Sequence, residues 1–297
     1  MTAIPYQSSL RRPRERSAYE IYARIKSYCM VGVCIAFTGV ILLLLALVLG
    51  YLICIGFRSL SWALFSEIPI PHGAAGYPGG MANGLAGTAI LIGLASLVGI
   101  PVGMLAGVYL AEYSADSWLA GPVRFIADVL TGVPSIVVGI LGYELLVVPL
   151  GHYNGWAGAL ALAFIMVPIV ARTTEEMLRL VPNSYREASI ALGATKARTI
   201  VKVILPAATG SVVTGVMLAI ARVAGETAPL LFTALGSSYI ETNPNHPFPS
   251  LTKQIFDYAG GYLPEQQKLA WAGILVLIAL IFVLNLLVRL FARSVRA

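Results

Sequence analysis

Charge is what this sequence has least of. Charged residues make up 11% of its 297 positions, against 58% hydrophobic residues and a mean hydropathy of +0.82. A soluble domain carries about a quarter charged residues, so an ordinary water-soluble fold is excluded. Cysteine is also scarce. Cys29, Cys34 and Cys54 are odd in number and all lie in or beside the first apolar stretch. That excludes a disulfide framework, offers no metal-ligand spacing, and leaves them as small apolar helix residues. The three histidines, His72, His152 and His246, fall in polar connections, again without metal spacing, and read as solvated loop residues. None of the five lysines follows a glycine. There is thus no Gly-x-x-x-x-Gly-Lys phosphate loop, so the chain is expected not to be an ATPase of that type. No serine/histidine/aspartate arrangement is legible either.

What is present is a series of long hydrophobic runs. Six are predicted to span a bilayer, at about 31–57, 84–110, 124–147, 156–173, 207–234 and 270–290. The first runs from Val31 to Phe57 without a charge, too long for the apolar region of a signal peptide. Backbone polar groups in hydrocarbon must be satisfied within the chain, so the spans are expected to be helices and the fold an all-α membrane protein. Pro101, Pro134, Pro168 and Pro229 each remove a helix hydrogen bond. Such breaks are tolerated where a helix faces protein or a water-lined cavity, although membrane helices carry proline for blander reasons too.

The polar segments divide the chain into a basic N-terminal tail, 1–30, and a transmembrane domain, 31–297. The last part of the tail is read as a helix lying on the membrane surface. A Gly/Pro-rich loop covers 58–83, Glu112 and Asp116 mark a short turn, and a longer polar loop covers 236–269. With both termini on the cytosolic side, sixteen Arg and Lys residues fall on inner segments and three, Arg58, Lys253 and Lys268, on outer ones. That asymmetry predicts the orientation. It also accounts for the net charge of +6 without a nucleic-acid partner.

Two stretches carry unusual chemistry. In the fifth span, Arg222 and Glu226 stand four apart on one helix face and can pair. A charge near the bilayer middle is costly and is normally paired and turned inward. A guanidinium suits oxyanions such as phosphate. The alternative is a buried ion pair that only fixes helix register. Arg172, taken to close the fourth span, is either a pathway residue or an interface anchor that snorkels to water. Asp128 and Glu144 in the third span are possible partners for it.

The second stretch is Glu187–Pro206, inside the charged segment 174–206. Asn183 or Ser184 can cap a helix there, and Gly193 permits a turn to a second short helix. Tyr185, Ala188, Ser189 and Leu192 recur on one face, and Pro206 fits the first turn of the fifth span. The whole reads as a small rigid knob suited to docking a soluble partner.

The order Glu187-Ala188-Ser189, three residues, Gly193, nine residues, Val203-Ile204-Leu205-Pro206 resembles the Glu-Ala-Ala signature of ABC-importer permeases. Ser stands for the second Ala and Val for Ile, with the spacing kept. Three further stretches resemble the phosphate-importer branch of that family: Gly79–Asn83 with Gly87-Thr88, Gly132–Val137, and Ala221–Leu231. The likeness covers about residues 30–290. It implies a type I importer architecture of six spans in a bacterial inner membrane, with a second homologous permease, two cytosolic ATPase subunits and an external phosphate-binding protein. ATP and Mg would be bound by the ATPases, leaving this chain without a cofactor and without a hydrolytic role. The resemblance places Arg222, Glu226, Thr227 and Arg172 on the substrate pathway. It assigns Tyr185, Glu187, Ala188, Ser189, Gly193, Leu205 and Pro206 to ATPase coupling. A permease for sulfate or molybdate is a competing expectation, and an ATP-independent secondary transporter using Arg222 and Glu226 for proton coupling is another.

Overall fold

The computed structural model describes residues 18–70, 79–114 and 117–294. The arginines from Arg11 to Arg16, the centre of the first loop with His72, the turn residue Asp116 and the terminal Arg296 lie outside the described residues. The chain forms two compact units, Met1–Leu52 and Ile53–Ala297. The described part of the first is helical. It belongs to α1, Ala18–Arg58, whose apolar side chains such as Ile35 and Phe37 are exposed. The surface helix expected before the first span is continuous with it, because no proline interrupts Ala18–Arg58.

The second unit continues with α2 (Ala63–Ser66), α3 (Ala82–Glu112), α4 (Ala120–Gly132) and α5 (Ser135–Leu150). Then come α6 (Gly155–Arg179), α7 (Asn183–Ala191) and α8 (Lys196–Ala224). The last are α9 (Ala228–Thr233), α10 (Leu251–Ala259) and α11 (Pro264–Ser294). Among the described residues five helices are long and apolar enough to cross a membrane, and six if the bent pair α4–α5 counts as one span. This agrees with the expected all-α membrane fold.

Small residues set the packing. Gly99, Gly103 and Gly107 of α3 face Met166, Val170 and Thr174 of α6, in steps of four on both helices. Residues four apart share a helix face, so the two helices run parallel in close approach, as small-residue seams permit. A Cβ at Gly103 would stand 2.7 Å from the Cβ of Val170. Helix α8 runs the other way. Its Gly215 meets Thr173, and further along the chain Leu230 of α9 reaches Gly158. The buried core joins Leu91, Leu162, Met166, Val170, Val212, Val223 and Leu230. A second cluster packs Leu64 and Met81 against Leu251, Ile255, Leu269 and Ala272 of α10 and α11.

Proline does not act uniformly. Pro101 and Pro168 sit inside unbroken helices. Between α4 and α5 the chain turns by 104°. There Val133 is extended with ψ 129°, the conformation that a following proline imposes on its neighbour. Pro149 and Pro206 each follow a five-residue π-helical turn by two positions, Tyr143–Val147 and Ile200–Ile204. Proline has no N–H to donate, and its ring clashes with the carbonyl four residues back. Widening the preceding turn to an i→i+5 pattern accommodates both effects without a break. Pro206 therefore does not open the fifth span as expected; that helix already begins at Lys196.

Candidate functional site

Arg222 and Glu226 occupy a helix break rather than an unbroken span. Pro229 opens α9, and its ring conflicts with a helical carbonyl at Gly225. The α8 helix accordingly stops at Ala224, with Gly225 N–H donating to Arg222 O (3.1 Å) and Glu226 N–H to Val223 O (3.1 Å). The Arg222 Nε stands 3.8 Å from Glu226 Oε1, an ionic contact too long for a hydrogen bond. The Arg222 side chain is 52% exposed and that of Glu226 17%. The cation thus keeps most of its donors free, held loosely by one carboxylate. From the far side, Thr252 Oγ1 of α10 donates to Glu226 O (3.0 Å). Thr227 lies at the start of α9, where its carbonyl accepts from Leu230 N–H (3.1 Å). Since α8 and α9 run antiparallel to α6 between the Gly215–Thr173 and Leu230–Gly158 contacts, Arg222 lies near the middle of α6. A broken helix with a half-exposed guanidinium at that depth can receive and release an oxyanion.

Arg172 is placed differently. It does not end its helix, which runs on to Arg179 without a breaker. Its Nε pairs with Asp128 of α4 (3.0 Å) and its Nη1 with Glu175 (3.1 Å). Of the two acidic residues, Asp128 is thus the partner, while Glu144 is the second residue of the π turn of α5. Glu175 is the centre that sequence reasoning missed. Its side chain is 2% exposed, and it accepts from Arg124 (2.8 and 3.1 Å) and Arg172 and pairs with Arg179 (2.8 Å). The spacing of Arg172, Glu175 and Arg179, three and four apart, carried the signal. Arg124 comes from a different helix and could not be foreseen. From the Gly215–Thr173 contact, Arg172 and Arg222 differ in height by roughly 10 Å, two turns of helix. They form two separate clusters at different heights in the bundle.

The segment expected to dock a partner is a hairpin of α7 and the first turn of α8. Gly193 takes φ +82°, and its N–H donates to Ile190 O (2.9 Å) while that of Ala194 donates to Ser189 O (3.1 Å). Thr195 caps the second helix through Arg198 N–H (3.3 Å). Neither Asn183 nor Ser184 caps the first. Pro182 holds the capping position, and Asn183 Oδ1 accepts instead from Arg186 (3.3 Å). The expected common face also divides. Ser189 is buried and hydrogen-bonded to Thr199 (2.8 Å), whereas Tyr185 (53%) and Leu192 (89%) face outward with Glu187 and Ala188. Leu205 packs against the core and Pro206 is exposed.

Two ties hold the hairpin to the end of α3. Arg186 forks onto Glu112 (2.6, 3.1 and 3.2 Å), and Lys196 Nζ lies 4.5 Å from the centre of the Tyr113 ring. Among the described residues no group of three or more His, Cys, Asp or Glu could hold a metal ion.

Residues 99–297 match the model of a family described as binding-protein-dependent transport system inner membrane component. The chain is 48% identical over 80% of its length to the phosphate transport system permease protein PstA of Yersinia pestis, covering 81% of that protein. It is 43% identical to the protein of the same name from Haemophilus influenzae, over 82% of this chain and 86% of that one. Among solved structures, a chain of the MetNI methionine ABC transporter in an inward-facing conformation matches with a TM-score of 0.57. The match has 22% identity and covers 72% of this chain and 93% of that one.

Proposed function

Since the chain belongs to the family of binding-protein-dependent transport system inner membrane components, we propose that it is the membrane-spanning permease subunit of an ATP-driven importer of inorganic phosphate. The observation that carries the substrate is its likeness to phosphate transport system permeases along four-fifths of its length. The geometry supports the same reading. A half-exposed arginine stands at a broken helix deep in the bundle, with one carboxylate beside it. It offers planar donors to an oxyanion, and the weak hold on each side lets what enters also leave.

In this reading a second homologous permease completes the pathway, and a phosphate-binding protein delivers substrate at the end where α9 meets the 236–250 segment. Two cytosolic ATPase subunits bind ATP and Mg and grip the hairpin at Tyr185, Glu187, Ala188 and Leu192. The hairpin end, richest in arginine and lysine, faces the cytosol together with both termini. Arg222, Glu226 and Thr227 lie on the pathway. Arg172, already paired on both sides, stands closer to the inner mouth.

The test is phosphate uptake into vesicles holding the purified complex, with and without ATP. Arg222→Gln is expected to abolish most uptake while leaving assembly intact and thermal stability little changed, since a 3.8 Å contact from a half-exposed arginine contributes less than about 1 kcal/mol. Normal uptake by that variant removes Arg222 from the pathway. Competition by sulfate or molybdate as strong as that by phosphate would point to a broader oxyanion permease. Uptake driven by a proton gradient without ATP would point to a secondary transporter.

A further inference from the structure

Helix α7 has a feature that its docking role alone does not require. Among its described residues only Ser189 is buried, and Tyr185, Ile190 and Leu192 point outward at 53%, 55% and 89% exposure. Apolar packing therefore does little to hold this helix on the bundle. A polar connection does. The Arg186 guanidinium donates to both oxygens of Glu112, the last residue of α3. It also donates to Leu178 O (2.9 Å) in the last turn of α6, which accepts from Val181 N–H as well (3.2 Å), and to Val181 O (2.7 Å) just beyond the helix end. The pair is largely enclosed, with side chains 19% and 6% exposed. One side chain thus joins α7 to the ends of two helices that are themselves sealed together along Gly99, Gly103 and Gly107.

We propose that Arg186, with Glu112, is the positioning residue that makes the hairpin move as one body with the α3–α6 pair, so that a push on the hairpin becomes a displacement of the spans. The inference rests on the hairpin being the ATPase dock. A flexible attachment would let the hairpin follow its partner while the spans stayed behind. Planar, multiply bonded guanidinium geometry resists that, and a lysine, which bonds as a point charge, does not reproduce it. Ser189 bonded to Thr199 stiffens the hairpin internally, and Lys196 over Tyr113 adds a second, looser tie to α3.

The experiment measures ATP hydrolysis and phosphate uptake in the same vesicles holding the complete complex. It compares the natural chain with Arg186→Lys, Arg186→Gln and Glu112→Gln. The expected result is that the ATPase subunits remain bound and ATP hydrolysis persists. The phosphate moved per ATP falls at least about fivefold, the lower end of energetic coupling between sites, with Arg186→Lys failing alongside Arg186→Gln. An unchanged ratio in assembled variants overturns the proposal. So does a parallel loss of both activities together with the ATPase subunits, which would make Arg186 a merely structural residue. If the natural complex itself carries no ATPase subunit at the hairpin, the docking premise has failed, a result seen before any variant is compared.

Discussion

Replacing Glu175 with methionine tests the charge centre at one end of the bundle. The substitution nearly keeps side-chain volume and removes the carboxylate shared by Arg124, Arg172 and Arg179. Its side chain is 2% exposed, so all of those contacts are made away from water. Breaking a buried ion pair by deleting one partner costs about 3–5 kcal/mol. Here the three guanidinium groups are 32%, 33% and 51% exposed and recover part of their hydration. Discounted for that screening, the loss is about 2–3 kcal/mol. In a protein of this size that corresponds to a fall in Tm of roughly 3–5 °C. Tryptophan fluorescence during heating of the detergent-solubilised chain reads it directly, with Trp156 reporting from α6 itself. Glu176→Gln, at the exposed neighbouring position, is the control and is expected to change stability by no more than about 0.5 kcal/mol. A Glu175→Met variant as stable as that control would refute the view that this carboxylate holds the first part of α4 to the last part of α6.

Two other outcomes concern packing and pH. Gly103→Ala is expected to destabilise by about 1–3 kcal/mol through overpacking, because its Cβ would press on Val170 and on Val167 O at 2.9 Å. Gly93→Ala on the same helix meets open space, and thermal melts of the two variants should differ accordingly. In the 236–250 segment, the Glu241 carboxyl is held below its usual range, first by the Asn243 N–H and then by His246. A depressed carboxylate adds stability that is complete above its unfolded value of about 4.3 and fades as pH falls through the lower folded value. Limited proteolysis of this segment should therefore accelerate only on acidification below that point, and Glu241→Gln should remove the pH dependence.

The hydrophobic runs determined most of the architecture on their own. Backbone groups in hydrocarbon have no partner except their own helix, so run length and composition fix which segments are helices, and all six expected spans have helical counterparts. The kink at Pro134 and the turn at Gly193 were legible for a similar reason, since each depends on one residue's own backbone limits. Arg222 and Glu226 stood out because charge is rare in such a chain, and their pairing followed from spacing alone.

What only the tertiary structure decided was which distant residues meet and how the backbone yields. Glu175 and Arg124 are 51 positions apart, and Glu112 and Arg186 are 74 apart. No local periodicity encodes such distances. The π turns before Pro149 and Pro206 depend on whether the surrounding helices hold the chain in line, so a proline read as a helix start became an interior residue. Helix length and local turns are settled by each segment's own bonds. Ion-pair partners and the absorption of proline are settled by which faces the glycine seams bring together.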